Sequence, residues 1–503
     1  MWLAIFIAIA LAQIYFLRNV VMGDAFIHFV FARGIAAGEF FFYNGKFSAG
    51  STSPFWSLLL APIWKIFGVK IVWLVKILAG VFVAGGIFLT FKFAKKACPR
   101  ENGDRQNRIV ALATAGLFAT SFVLPFWAAK GMESPLFVCL VLSSFLIYLK
   151  ILERAKTFWW EILLGIIFGI AILTRPEAWF LAAFLGVGLL AGGNWRAILT
   201  VGFPAFLIFA PYYFWLFENT GSIFPSSIAR ILRARQWAHE LGGIYFSLEI
   251  PKILLTKFLP LTPFFIFFFY RRGKSDRRIW WPIFAWLALH LIFFSVIFPT
   301  TEGYRYILAA LPFFYLISVL GIFRLPKKWI ATVLTFGILG SVVISGQQFF
   351  ERRASITNCE IGIDATRREV GEWIRENTPP ESLVAIKEID QSAFFGERKM
   401  LSLDGTLDAR AIEFVRSNDQ LQFLRNEKPN FFVLEEEMYR EYPDWQNSNL
   451  LPLADKNLEI GDSKVLENVE FKLLTKIKSG DAKSCSHFSE EYFWWIFAVK
   501  FEK

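Results

Sequence analysis

The sequence is short of charged residues and of cysteine. Only 19% of its 503 residues are charged, whereas 55% are hydrophobic. A soluble protein would need an oversized core to bury such a chain, whereas a protein with many membrane spans would not. The 4 Cys residues form no CxxC pair and no metal-ligand spacing, which argues against a zinc ribbon or a redox site. The sequence also lacks a glycine-rich phosphate loop, which argues against a nucleotide-binding enzyme.

The long apolar runs that are present fill the first 348 residues. Most of them approach the roughly 20 residues that cross the hydrocarbon core of a bilayer. They lie at 2–17, 53–68, 70–91, 109–127, 134–149, 158–173, 178–193, 196–217, 253–270, 279–298, 304–322 and 329–347. We interpret the first run as an anchor and not as a cleaved signal peptide, because no basic segment precedes it.

Basic residues in the loops between these runs indicate the topology. The net charge of +11 reflects loops at 92–108, 150–156, 271–278 and 324–328, which the positive-inside rule places in the cytoplasm. All four loops reach that side only if the run 53–68, which contains Pro62 and Lys65, lies at the outer interface without crossing. The sequence therefore predicts an α-helical polytopic membrane protein with about eleven transmembrane helices, interfacial helices and a cytoplasmic N-terminus.

The hydropathy falls after about residue 348, which predicts a membrane domain over 1–348 and a soluble domain over 349–503. Helical patterns at 367–377 and 410–425, and strand patterns at 383–389 and 431–434, predict an extracytoplasmic α/β domain. The aromatic segment 490–501 would pack either on this domain or on the lipid interface. Cys359 and Cys485 could pair if the domain is exported.

On this topology the charged residues of the membrane domain collect at its outer face. A charge held at the rim of so apolar a chain is a functional hypothesis by default. The candidates are Asp24, Lys130, Glu133, Arg175, Glu177, Arg230, Arg233, Arg235, Glu302 and Arg305. Such a set suits a catalyst or a receptor on that face.

Five short segments carry a family pattern. They read Gly-Asp-Ala-Phe-Ile at 23–27, Gly-Ser-Thr-Ser-Pro-Phe-Trp at 50–56, Gly-Met-Glu-Ser-Pro-Leu-Phe at 131–137, Leu-Thr-Arg-Pro-Glu at 173–177 and Phe-Pro at 224–225. In this order they resemble the GT-C superfamily of polyprenyl-phosphate-sugar glycosyltransferases, with the closest likeness to its arabinofuranosyltransferase-like branch. Where the family often has two acidic residues, this chain has Gly23 followed by Asp24, and Ser226 stands where relatives often have Asn.

The resemblance implies transfer of a sugar, such as arabinofuranose or another pentose or hexose, from a polyprenyl phosphate to an acceptor hydroxyl. Asp24 would be the base, because a hydroxyl attacks well only as its proton is removed. Arginines would hold the leaving phosphate, because a guanidinium is planar, forked and always charged. The predicted substrate-binding residues are His28, Arg33, Tyr43, Glu133, Arg175, Glu177, Arg230, Tyr304 and Arg305. One direct attack predicts inversion at the anomeric carbon.

The same resemblance implies a bacterial-type inner or plasma membrane protein with its active site outside the cytoplasm. The predicted partners are the lipid-linked donor, an envelope glycan or other acceptor, and the bilayer; nucleic acid is not among them. No cofactor is predicted, and a divalent metal is not favoured because one Asp among arginines makes a poor cage for a hard cation.

The same residues also have structural interpretations that need no substrate. Asp24 could instead cap the helix that follows it, Arg175 could anchor a helix start at the interface, and Glu177 could interact with a helix dipole. His28 could modulate the pKa of Asp24, and His290 could be a satisfied interhelical group. The aromatic residues at 40–43 could form an interfacial belt.

Two other functions compete with a glycosyltransferase. A transporter or flippase of lipid-linked glycans would show repeats and polar residues at mid-membrane, whereas this chain concentrates its charges at one rim. A non-catalytic assembly protein would leave the acidic segment around Asp24 without a chemical role. Substitution of Asp24 discriminates between an enzyme and these two classes.

Overall fold

The computed structural model describes all residues except 22, 44, 45, 49, 99–102, 154–156, 226–247, 271–276, 298–302, 356–360, 388, 406, 408, 409, 437–439, 441–447, 480–491, 502 and 503. Arg230, Arg233, Arg235, Glu302, Cys359 and Cys485 therefore lie outside the described residues. The predictions for these residues stay predictions.

Helices dominate the first 355 residues, as expected of a chain whose backbone must satisfy its own hydrogen bonds in lipid. In chain order they are α1 Trp2–Phe16, α2 Gly23–Ala36, α3 Pro54–Phe67, α4 Ile71–Ala97, α5 Gly103–Thr120, α6 Val123–Ala129, α7 Ser134–Glu153, α8 Phe158–Thr174, α9 Ala178–Ala191, α10 Arg196–Thr220, α11 Glu249–Thr256, α12 Thr262–Tyr270, α13 Arg277–Ile292, α14 Gly303–Ile307, α15 Leu311–Ile322 and α16 Lys327–Ser355. A two-stranded ribbon of β1 Phe42–Tyr43 and β2 Lys46–Phe47 joins α2 to α3.

Several of these helices are long and apolar enough to cross a membrane. By length and composition there are five in the described part of the chain, or six if the bent pair α5 and α6, which meet at 46°, forms one span. Four further apolar helices of 10–17 residues accompany them. A multi-pass membrane protein is thus confirmed, whereas the count of about eleven spans and the side on which each terminus lies stay predictions.

The run predicted at 53–68 forms α3, which is followed directly by α4. Helix α3 ends with its C-cap at Gly68, which has a positive φ of 55°, and a 3₁₀ turn over Gly68–Lys70 leads into α4. Helix α3 packs on α2, and the two contribute Trp56, Leu60, Phe26 and Phe29 to one apolar core. The helix itself is confirmed, and its place at the outer interface stays a prediction.

The C-terminal portion is built on one mixed sheet. Its elements are α17 Ile361–Asn377, β3 Leu383–Ile386, α18 Gln391–Gly396, β4 Lys399–Ser402, α19 Ala411–Arg416, α20 Gln420–Glu427, β5 Phe431–Glu435, β6 Ser463–Leu466, β7 Val469–Lys478 and β8 Phe493–Phe501. The strand order is β4-β3-β5-β8-β7-β6, with β3 parallel to β4 and β5 and the other pairs antiparallel. The predicted C-terminal α/β domain is confirmed, whereas its start at residue 349 and its solubility stay predictions.

One helix of this portion differs from the sequence-based expectation, and the structure decides between the two alternatives for the last segment. The single helix expected at 410–425 is two helices, because Asn418 adopts φ 56° and the Asp419 side chain caps the N-terminus of α20. The aromatic segment expected at 490–501 forms β8, an interior strand between β5 and β7. Trp494, Trp495 and Phe497 are buried there, so the segment packs within the domain.

Candidate active site

Asp24 lies in the first turn of α2, at the surface of the helical part. Its side chain is 48% exposed, and its Oδ2 accepts a hydrogen bond from Nη1 of Arg305 at 3.1 Å. Arg305 belongs to the short helix α14, and its side chain is only 10% exposed. Asp24 is the second residue of α2 and not its N-cap. Its carboxylate is therefore both open to solvent and oriented by a buried cation.

Glu133 lies deeper, immediately before α7, and its carboxylate is shared by two arginines. Its Oε1 is 3.2 Å from Nη1 of Arg175 and 3.6 Å from Nη2 of Arg305, and its side chain is 1% exposed. Burial raises the pKa of Glu133, but Arg305 and Arg175 outweigh this effect and hold the pKa below its usual value. Glu133 is therefore an anion between two cations.

Arg175 lies on the side of Glu133 away from Asp24. Helix α8 stops at Thr174 because Arg175 is extended and Pro176 follows, and Glu177 then occupies the N-cap position of α9 without a side-chain capping bond. Within this turn Nε of Arg175 donates to Oε1 of Glu177 at 2.6 Å, and Nη1 donates to Oγ of Ser134 at 3.3 Å. The Thr-Arg-Pro-Glu motif thus orients a buried guanidinium toward Glu133.

Five charged residues from four parts of the sequence therefore form one alternating series, Glu177, Arg175, Glu133, Arg305 and Asp24. Four of them are buried, and Asp24 forms the exposed end. We call this set the charge series. Mutual pairing offsets the cost of burying charge, so the series presents one carboxylate at the surface, with a buried guanidinium directly behind it.

Aromatic rings that the sequence did not single out hold the arginines in place. The Tyr306 ring lies 4.9 Å from the guanidinium carbon of Arg175 and 5.8 Å from that of Arg305. Trp127 lies 5.8 Å from Arg305, and Phe137 lies 5.7 Å from Arg175. Cation–π contacts of this kind stabilise a desolvated cation. The sequence carried only a weak signal, the position of Tyr306 next to Arg305.

His28 lies one helical turn after Asp24 and is 4% exposed. Its Nδ1 is 3.0 Å from Oγ of Ser57 on α3. Burial lowers the pKa of His28 although Glu133 and Asp24 raise it. The imidazole is therefore held toward its neutral form next to the charge series.

Three other predicted residues lie at the edges of this arrangement. Arg33 donates from Nη1 to the carbonyl of Phe394 in the C-terminal domain at 3.3 Å. Tyr43 packs in the same junction between the two domains. The ring of Tyr304 packs against Phe122 with centroids 5.2 Å apart. Substrate binding by these residues and by Arg230 stays a prediction.

His290 and the metal expectation complete the survey of polar groups. Nε2 of His290 on α13 lies 2.7 Å from the carbonyl of Tyr306, an interhelical contact as expected, but the buried Nδ1 has no hydrogen-bond partner in the described part of the chain, so the group is only half satisfied. Among the described residues no group of three or more His, Cys, Asp and Glu side chains could hold a metal ion.

An apolar cavity of about 470 Å³ lies between helices of the membrane domain. Helices α11, α12, α13 and α15 form its walls together with Ile307, two residues after Arg305. Its lining residues are Ile250, Pro251, Leu254, Leu255, Thr262, Phe265, Ile266, Leu287, Leu291, Ile292, Ser295, Val296, Ile307, Ala310, Leu311 and Phe314. A cavity lined almost wholly by apolar side chains suits a hydrocarbon chain.

Comparisons with solved structures show which fold this is. One match is ArnT from Cupriavidus metallidurans in a structure bound to undecaprenyl phosphate. The match covers 99% of this chain and 98% of ArnT, with a TM-score of 0.61 and 14% sequence identity. The match with the apo oligosaccharyltransferase of Archaeoglobus fulgidus covers 90% of this chain and 72% of that protein, with a TM-score of 0.62 and 13% sequence identity. The same protein, AglB, in complex with an inhibitory peptide and a dolichol-phosphate, matches at 0.60 and 12% identity.

The chain therefore has the fold of GT-C glycosyltransferases, and the predicted resemblance to that superfamily is confirmed at the level of the fold. The match with ArnT includes the C-terminal domain, since it covers 99% of this chain. A comparison with protein-family models gives no match. A comparison with curated protein sequences gives none either.

Proposed function

We propose that this chain is a membrane glycosyltransferase that moves a sugar from a polyprenyl-phosphate donor to an acceptor hydroxyl. The observation that carries the proposal is the charge series, together with an apolar cavity that reaches Ile307, two residues along the chain from Arg305. A fold shared with many proteins does not define a reaction, so the argument rests on these groups. They provide an exposed carboxylate, a fixed guanidinium next to it and space for a lipid chain.

Asp24 fits the base in this reaction. The acceptor oxygen attacks the anomeric carbon, its proton passes to a carboxylate oxygen of Asp24, and a new glycosidic bond forms. The bond between the anomeric carbon and the phosphate oxygen breaks, and its electron pair leaves with the polyprenyl phosphate. Because one displacement occurs on one carbon, the configuration there inverts. Arg305 keeps the carboxylate oriented toward the acceptor.

The leaving group needs positive charge and no acid, because a phosphate is a stable anion. Arg305 is the cation closest to Asp24 in the charge series, and Arg175 stands behind Glu133. An arginine pair in a partly buried site binds phosphate oxygens through charge-assisted hydrogen bonds. With the phosphate at Arg305, the first units of the lipid would enter the apolar cavity at Ile307. The neighbours ArnT and AglB were solved with undecaprenyl phosphate and a dolichol-phosphate, which supports a lipid phosphate here.

The finer assignment is an extracytoplasmic transferase of envelope biogenesis. The basic loops support this side of the membrane for Asp24 and for the C-terminal domain. The motif likeness to arabinofuranosyltransferases supports a pentose such as arabinofuranose as the sugar. The acceptor would be an envelope glycan or another hydroxyl-bearing molecule.

A direct test supplies purified protein in lipid nanodiscs with polyprenyl-phosphate pentoses and hexoses, and in parallel with the corresponding nucleotide sugars. Membranes of a strain that lacks the gene provide the acceptor, and mass spectrometry reads the product. We expect transfer only from lipid-linked sugars. Turnover of a nucleotide sugar in the absence of lipid carrier would refute the proposal.

A further inference from the structure

Helix α2 has two different faces, and only one belongs to the charge series. Asp24 and His28, spaced i and i+4, lie on the face toward Arg305 and Ser57. Residues 23, 26, 29 and 33, spaced by three and four, share another face. That second face contacts the C-terminal domain along its whole length.

The contacts of the second face centre on α18. The Phe394 ring packs against Phe26 and Phe29, with centroids 5.3 Å and 5.9 Å apart. The carbonyl of Phe394 accepts the hydrogen bond from Arg33 at 3.3 Å. Phe394 also meets Trp64 of α3 at 5.5 Å. One buried side chain of the C-terminal domain thus contacts both helices that carry Asp24, His28 and Ser57.

At the start of α2 the domain closes over Gly23. A Cβ atom on residue 23 would lie 3.5 Å from Cβ of Asp390 and 3.5 Å from Nη1 of Arg367. The space that a side chain would fill next to Asp24 is therefore lined by the C-terminal domain.

Asp390 and Arg367 are themselves firmly held. Nε of Arg367 is 2.9 Å from Oδ2 of Asp390, and Nη2 is 3.2 Å from Oε1 of Glu435. The side chains of Asp390 and Glu435 are 5% and 1% exposed. Oδ1 of Asp390 accepts from the backbone N–H of Ser392 at 3.0 Å. A fixed ion-pair group thus rests on the first turn of the helix that carries the proposed base.

We propose that the C-terminal domain is a positioning element of the active site, in which Asp390 and Phe394 hold α2 so that Asp24 faces Arg305. This inference rests on the proposed function. Asp390 is too buried to touch an acceptor, so it is a positioning residue. A shift of α2 by about 1 Å would move the base out of line, and displacements of this size lower rates up to about a hundredfold.

The test replaces the packing contact between residues 23 and 390 by a covalent bond. Cβ atoms of disulfides lie about 3.5–4.5 Å apart, and the 3.5 Å between residues 23 and 390 fits that range. The variants are Asp390→Cys, Gly23→Cys and the double variant, each purified under oxidising conditions. Product formation is measured with membranes of the deletion strain, and peptide mass spectrometry checks the cross-link. Gly23→Ala is the matched control, because its Cβ would have only ordinary van der Waals contacts.

We expect Asp390→Cys to lose at least about tenfold in rate, whereas the cross-linked double variant recovers to within a few-fold of wild type and Gly23→Ala is unaffected. Reduction of the cross-link should return the rate to that of Asp390→Cys. Asp390→Asn, which keeps the acceptor for Ser392, guards against misfolding and should show a smaller loss. Undecaprenyl phosphate binding should be unchanged in all variants, since Arg305 is untouched.

Three results would overturn the inference: full activity of Asp390→Cys, failure of residues 23 and 390 to cross-link, or a cross-linked variant that stays as slow as Asp390→Cys. The last result would mean that the Asp390 carboxylate itself is needed. Failure of the proposed function is distinguishable, because wild-type protein would then form no product while the cross-link still formed.

Discussion

Removal of the Glu133 charge should destabilise the protein, because this carboxylate lies between two buried guanidinium groups. In Glu133→Gln the side chain keeps its shape, but Arg175 and Arg305 lose their shared counter-ion. Loss of one partner of a buried ion pair costs about 3–5 kcal/mol. An unfolding entropy of about 2.1 cal/mol/K per residue over 503 residues is about 1.1 kcal/mol/K. We therefore expect Tm to fall by about 3–5 °C.

The assay is thermal unfolding of purified protein in one detergent at pH 7.5, with Glu369→Gln as the control because Glu369 is exposed. The double variant Glu133→Gln/Arg305→Gln removes one charge of each sign. Its fall in Tm should therefore be smaller than the sum of the falls in the two single variants. An unchanged Tm for Glu133→Gln, or strict additivity in the double variant, would refute the charge series as a coupled unit.

Three further predictions follow from the site. Burial lowers the pKa of His28, so the contribution of neutral His28 to stability is present above about pH 6.5 and is lost as the pH falls, by up to about 1.4 kcal/mol per pH unit. The Tm of His28→Asn should therefore depend less on pH between 7.5 and 5.5 than the Tm of wild type does. Equal slopes of Tm against pH in the two proteins would contradict this prediction. Arg305→Gln should weaken undecaprenyl phosphate binding, read by native mass spectrometry, about tenfold or more through loss of a charge-assisted bond, whereas the exposed Arg105→Gln should bind as wild type does. A chelator should leave the transfer rate intact, and abolition that a divalent ion reverses would count against the assigned chemistry.

Much of the fold followed from local patterns. The apolar runs predicted the helices of the membrane domain, and the fall in hydropathy predicted the start of a soluble domain with strands at Leu383–Ile386 and Phe431–Glu435. The break between α19 and α20 was missed because it depends on a left-handed Asn418 that helical periodicity does not reveal. The sequence left open where the aromatic segment 490–501 packs, because either lipid or a sheet would bury its side chains. Its pairing with β5 and β7, which depends on the tertiary structure, decides between the two.

The sequence analysis singled out the charged residues of the candidate site but did not predict which of them pair with each other. Asp24, Glu133, Arg175, Glu177 and Arg305 were all singled out, because charges at the rim of an apolar chain are conspicuous. The pairing of Asp24 with a residue 281 positions away could not be read from spacing. Ser57, Trp127 and Tyr306 were missed because polar and aromatic residues are common at such rims. Asp390 and Arg367 were missed because their role depends on how two domains meet.

The central claim is that the Asp24 carboxylate takes the acceptor proton. The most direct test expresses wild type, Asp24→Asn and Glu369→Gln in the deletion strain at equal levels and quantifies envelope glycans by mass spectrometry. Asn can still accept the hydrogen bond from Arg305 but is a very weak base, so product should fall by at least about a hundredfold, with Tm and undecaprenyl phosphate binding retained. Wild-type product from Asp24→Asn would contradict the account.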